Sequence, residues 1–186
     1  MQVEDVIAQC DDGKPRRRDF ESVTKLIVHR IGGELGKDAI EIAKSFQDTR
    51  RFKAGAYTDG NMPYHFIITR HGRVQQALTL GDHAPHAKRF NSTGLAVALI
   101  GDFRVYPPSF EQYEALKRFA GFWRLYGLEV HGHTELHGAS SDPNKACPGH
   151  LLNMQKLRAD ADEVAAELAR GMLEFQGVSF RGTTHE

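Results

Sequence analysis

Val130–His150, VHGHTELHGASSDPNKACPGH, gathers four of the chain's ten histidines (His131, His133, His137, His150) and one of its two cysteines, Cys147. It also offers a carboxylate at Glu135 and an ammonium at Lys145, two residues before the cysteine. A thiolate and neutral imidazoles are what zinc prefers, with Zn–N near ~2.0 Å and Zn–S near ~2.3 Å. The same residues have a plainer reading. A cysteine is often only a small buried hydrophobe, and histidines scatter through cores and edges.

Moving outward, Leu128–His133 reads as a short strand that ends in a histidine. Far upstream, Thr24–His29 (TKLIVH) is a short apolar β-prone run that also ends in one, followed by Arg30 and the breaker Gly32–Gly33. If these strands are neighbours in one sheet, both imidazoles open onto the same edge, and Cys147 follows on a loop. That makes a two-histidine, one-cysteine set with room for a fourth ligand, the pattern of a catalytic zinc rather than a structural one. A satisfied core or edge histidine remains the alternative at each position.

The rest of the chain predicts the body of the fold. Lys37–Phe52 carries Ile40, Ala43 and Phe46 at helical spacing. Tyr64–Arg70 and Arg73–Leu78 read as strands joined by a tight turn at His71–Gly72. Gly94–Phe103, GLAVALIGDF, is the most apolar segment and the candidate central strand. Ser109 with Gln112 forms a capping-box pattern opening a helix to about Tyr126, with Phe110, Tyr113, Phe119, Trp123 and Tyr126 as a core-facing stripe. Leu151–Phe175 predicts a long amphipathic helix. Together these predict a single α/β domain, a mixed sheet of about five or six strands flanked by helices.

Composition narrows the function. A chain of 186 residues is one domain with a real core. Its 24 basic and 24 acidic side chains argue against a dedicated nucleic-acid or membrane-surface binder. No apolar run is long enough to span a bilayer, so no membrane insertion is expected. Two cysteines are too few for a disulfide framework. The N-terminal residues lack the basic head and apolar core of a secretory signal, which predicts a chain made in the cytoplasm and reaching a cell wall only if released. Residues 1–22 read as an irregular lead-in, with KPRRRD (Lys14–Asp19) as a solvated basic run and Cys10 as dispensable. Residues 177–186 read as a loose tail, and a monomer is expected.

Four blocks carry a family resemblance: LIVHR (Leu26–Arg30), PYHFIITRHGRV (Pro63–Val74), HAKRFNSTGLAVALIGDF (His86–Phe103) and GHTEL…NKACPG (Gly132–Gly149). In that order they resemble the type 2 N-acetylmuramoyl-L-alanine amidases, which share a fold with the peptidoglycan-recognition proteins. The PYHFII and KACPG blocks are most like the phage endolysin branch. The resemblance implies a catalytic domain over residues 23–176 that binds one zinc ion through His29, His133 and Cys147. It implies that Tyr64 and Lys145 act beside the metal, and that His65, His86 and Asn91 line or support a substrate-binding cleft. The implied partner is peptidoglycan or a muropeptide. Three departures stand out: Arg30 and Ile31 occupy positions where many members have a small or hydroxyl residue, the gap from His133 to Cys147 is long, and that gap holds His137 as a rival ligand. His133 is preferred because GHTEL matches the family's Gly-His-x-Glu/Asp pattern.

The implied reaction is hydrolysis of the amide between the lactyl carbonyl and L-alanine. Zinc would polarise that carbonyl and acidify water. Lys145 would stabilise the oxyanion, and Tyr64 would orient the water or relay a proton to the leaving nitrogen. A serine hydrolase is unsupported, since no G-x-S-x-G elbow is present. Asp82 and Glu135 are possible glycosidase carboxylates, but nothing aligns them. The competing expectations are a non-catalytic peptidoglycan-binding module of the same fold, which commonly lacks the zinc cysteine, a cytoplasmic amidase recycling soluble muropeptides, and an added regulatory contact with another protein.

Overall fold

The computed structural model describes residues 1–10, 17–33, 36–47, 62–137 and 145–171. Along the chain the elements are β1 (Val3–Asp5), α1 (Ile7–Cys10), β2 (Lys25–Ile31), α2 (Ala39–Gln47), β3 (Phe66–Ile68), β4 (Val74–Gln76), β5 (Gly94–Ile100), α3 (Phe110–Leu125), β6 (Glu129–Gly132), α4 (His133–Leu136) and α5 (Met154–Ala169). The strands form one six-stranded mixed sheet in the order β1-β4-β3-β5-β2-β6. The β3–β4 pair is antiparallel and the other pairs are parallel. The expected single α/β domain with five or six strands is what forms.

β5 is buried at every position. A strand covered on both faces reads as an unbroken apolar run, and GLAVALI does. Its alternate side chains serve two cores. Leu95, Val97 and Leu99 join Leu26 and Val28 of β2 beneath α3 and α5, through Leu116, Phe119, Trp123, Leu157 and Ala161. Ala98 and Ile100 face the opposite way, toward Cys10 of α1 and Ala39, Ile42 and Ala43 of α2. α3 and α5 meet closely at Gly121, where an added Cβ would lie 2.6 Å from Val164 Cβ and 3.0 Å from the Ala161 carbonyl oxygen.

Several boundaries differ from expectation. β2 runs two residues beyond His29, because Arg30 and Ile31 continue the ladder against Leu99 and Ile100. β6 stops at Gly132, and His133 opens α4 instead of closing the strand. β3 and β4 are three residues each, although the turn between them is as read: Thr69 N donates to Arg73 O and Gly72 takes φ +76. Ser109 caps α3 by accepting from Gln112 N, but the Gln112 amide donates to the Ile68 and Ile100 carbonyls, tying the helix to the sheet. Of the aromatic stripe, Phe119 and Trp123 are core, while Phe110 and Tyr126 are 76% and 57% exposed. α2 is described to Gln47 and α5 ends at Ala169; residues 48–61 and 172–186, where longer helices and the tail were expected, lie outside the described residues.

The N-terminal segment is not a lead-in. β1 pairs in parallel with β4, and Cys10 is fully buried in the second core. In the basic run, Arg17 bonds to buried Asp82 and to Thr79. Arg18 turns inward to donate to the carbonyls of Leu80, Asn91 and Gly94. Its burial lowers the guanidinium pKa to about 10, with Asp82 opposing the shift. Lys14–Arg16 lie outside the described residues. Among the described residues no helix is long and apolar enough to cross a membrane.

Candidate metal centre

Parallel pairing of β2 with β5 and β6 brings the His29 region beside the end of β6. Carboxyl ends of parallel strands are where clefts form in open α/β sheets. His29 lies opposite Ala98 in register, and its ring packs against those of His133 (centroids 4.5 Å), Tyr64 (5.2 Å) and His86 (5.1 Å). The small side chain at Ala98 leaves room for that stack. Cys147 completes the group: its Sγ lies 3.8 Å from His29 Nδ1, and the ligand atoms of His29, His133 and Cys147 all lie within 4.8 Å of one another.

Local sequence explains how the segments meet. In GHTEL, Glu135 accepts from the Gly132 N–H at 2.7 Å and so caps the start of α4. Thr134 holds Cys147 by two bonds, accepting from Cys147 N at 2.7 Å through its hydroxyl and donating its own N–H to Cys147 O at 2.9 Å. After the cysteine, Gly149 takes φ +122, and a side chain there would strike the Phe103 carbonyl oxygen at 2.6 Å. Arg30 reaches across from β2 to donate to the Ala146 carbonyl at 3.2 Å, with Asp102 3.5 Å from its Nη1.

The electrostatics suit a cation. Burial first, then the neighbouring His86, His133 and His137, holds His29 well below the ordinary histidine range. Burial, with His137 and Lys88 nearby, lowers His133 to about 4. Both rings are therefore neutral at pH 7, with a lone pair each to offer. Burial pushes the Cys147 thiol up, and a hydrogen bond from the Arg30 backbone together with the Arg30 charge opposes this. A bound cation would remove that proton outright. Two neutral imidazoles and a sulfur are a donor set that fits zinc.

The other predicted residues divide. Tyr64 is half-buried beside His29 and packs on Phe46. Lys145 is exposed, at the start of the segment that carries Cys147. His65 does not line a cleft: it is fully buried, accepting from Ala96 N at Nδ1 and bonding to Asp82 O through Nε2. His86 is buried behind His29, its Nδ1 3.0 Å from His29 Nε2. Asn91 spends its side-chain oxygen on the backbone N–H groups of His86 and Ala87. These three support the site from behind rather than meeting a substrate in this arrangement. His137 stacks edge-on to His133 and on Phe90, and is not within the three-donor group. Sequence reasoning missed Arg18, Thr134 and the Arg30–Ala146 bond. Thr134 could have been found, since a hydroxyl beside a ligand histidine is a ready backbone acceptor.

Comparison with known proteins agrees with this architecture. The family model for N-acetylmuramoyl-L-alanine amidase matches residues 19–150. A peptidoglycan-recognition protein of Drosophila simulans is 32% identical over 94 residues, covering 50% of this chain and 51% of that protein, so the chain spans about half the length of the curated relatives it matches. Among solved structures, the fold is similar to the N-acetylmuramoyl-L-alanine amidase LysC from Clostridium intestinale (TM-score 0.65, 14% identity, 87% of this chain and 98% of that one). It is also similar to the Ph2119 endolysin from a Thermus scotoductus bacteriophage (TM-score 0.63, 18% identity, 86% and 99%). With the family model spanning all three donors, the chain belongs to the N-acetylmuramoyl-L-alanine amidase family.

Proposed function

We propose that the chain is a zinc-dependent amidase that hydrolyses the bond between N-acetylmuramic acid and L-alanine in peptidoglycan, in the setting of a phage-type endolysin. The observation that carries this reading is the gathering of His29, His133 and Cys147 within 4.8 Å in a member of this family. A module that only binds the wall has no need of a cysteine held by Thr134 and Arg30 against a buried histidine.

His29, His133 and Cys147 would hold the ion. When bound, zinc supplies a Lewis acid that polarises a carbonyl and acidifies water. Around it, Tyr64 offers a phenol on the His29 side, suited to orienting water or passing a proton to the leaving nitrogen. Lys145 brings a positive charge for the developing oxyanion. Arg30 keeps the Cys147 segment against β2 through Ala146.

The test is digestion of purified peptidoglycan, following new α-amino groups and new reducing ends together. The expected result is free N-terminal L-alanine with intact glycan chains, stopped by a chelator and restored by zinc. Reducing ends without new N-terminal alanine would remove the amidase reading. Binding with no covalent product would leave a recognition module. Faster turnover of soluble muropeptides than of intact sacculi would replace the endolysin setting with recycling in the cytoplasm.

A further inference from the structure

His86 bonds to His29 on the ring nitrogen that does not face the cysteine. The order of hydrogens along this string follows from its backbone end. His86 Nε2 lies 3.2 Å from the Gly94 carbonyl oxygen, an atom that can only accept, so Nε2 carries the hydrogen. His86 is buried with the Arg18 guanidinium on the same Gly94 carbonyl, surroundings that disfavour a second, charging hydrogen on its ring. Its Nδ1 therefore holds a lone pair. His29 Nε2, 3.0 Å away, must be the donor. A neutral His29 that donates from Nε2 has its own lone pair on Nδ1, the nitrogen 3.8 Å from Cys147 Sγ.

From these contacts we infer that His86 is a positioning residue that fixes His29 as the Nε2–H tautomer and thereby presents Nδ1 to the metal. The loop before β5 is the mount for this ring. Asn91 accepts from His86 N at 3.1 Å and Ala87 N at 2.6 Å, holding the backbone from which the imidazole projects. Gly94 lets the ring lie against the strand, since a Cβ there would sit 3.1 Å from His86 Cε1 and 2.8 Å from the Phe90 carbonyl oxygen. The second lone pair of the Gly94 carbonyl is taken by Arg18 at 2.6 Å, which also donates to Asn91 O at 3.0 Å. Arg18, Asn91 and Gly94 thus hold His86, and His86 holds the ligand. Partners of this kind orient a ligand histidine and raise its basicity.

This inference rests on the zinc reading above, and two measurements on the intact chain test it separately. The first assigns the hydrogen on each His29 ring nitrogen by 15N NMR of the zinc-loaded chain. Hydrogen on Nε2 with Nδ1 at the metal is expected; the reverse overturns the inference. The second is zinc affinity, measured by competition with a chromophoric chelator. His86→Phe is expected to weaken zinc about 10–100-fold, and His86→Gln, whose amide again offers a donor and an acceptor, to recover most of it. Wild-type affinity in His86→Phe would overturn the inference while leaving the zinc amidase reading intact. If His86→Phe does not fold, the nitrogen assignment decides alone. A wild-type chain that binds no zinc would sink the functional reading instead; the His29 tautomer in that metal-free chain then decides the inference by the same criterion.

Discussion

His133 and His137 stand four residues apart with ring centroids 4.9 Å apart, yet only His133 joins His29 and Cys147. His133→Ala is therefore expected to abolish stoichiometric zinc, and His137→Ala to leave it nearly unchanged; metal analysis of the purified variants checks both, and the reverse pattern would exchange their roles. For Lys145→Ala, zinc content should be kept while turnover on peptidoglycan falls by about 10²–10³, the usual loss for an oxyanion-stabilising group. Arg18 gives a prediction of a different kind. Arg18→Met would leave the Leu80, Asn91 and Gly94 carbonyls without this donor in the interior, costing about 2–3 kcal/mol in a urea melt. Arg18→Lys should recover little, because one ammonium does not reproduce a planar fork of donors. The three clustered donors were legible in the sequence because the LIVHR, GHTEL and KACPG blocks carry them in family order, although neither histidine proves to be the last residue of its strand. Arg18 was not, since its partners are mostly backbone carbonyls, which every residue possesses.

Elements were legible in proportion to how much pattern they carry. β5 and α3 declare themselves through a long apolar run and a capped amphipathic stretch. β1 does not: VED has three residues and one buried side chain, and only pairing along β4 makes it a strand. The same limit explains Cys10, whose polar neighbours hide that α1 turns it into the second core. The junction of β6 and α4 was misplaced by one residue, because the Glu135 cap that starts the helix also resembles a strand's polar end. Helix packing is where one substitution should speak clearly. Gly121→Ala puts a methyl carbon against Val164 and the Ala161 carbonyl between α3 and α5. It should destabilise the fold by about 1–3 kcal/mol despite alanine's better helix propensity. A neutral or stabilising result in denaturant titration would show that α5 shifts outward at no cost.

Across the whole molecule, an ion at this site would join β2, the start of α4 and the Cys147 segment, so it acts as a cross-link made only in the folded state. Free zinc at 100 times its Kd should add about 2.7 kcal/mol. For a chain of this size that raises Tm by roughly 5–11 °C. Chelation should reverse the rise, and His133→Ala should show none; differential scanning calorimetry reads both. The sequence separation of the donors also has a consequence in time. His29 and Cys147 lie 118 positions apart, and β2 is completed on both sides only by strands that come much later in the chain. At about 5–20 residues per second, a ribosome needs roughly 6–24 s to travel from the first donor to the last. Throughout that interval the nascent chain carries His29 without the complete donor set. A transcript truncated anywhere before codon 147 thus encodes a product without the complete donor set.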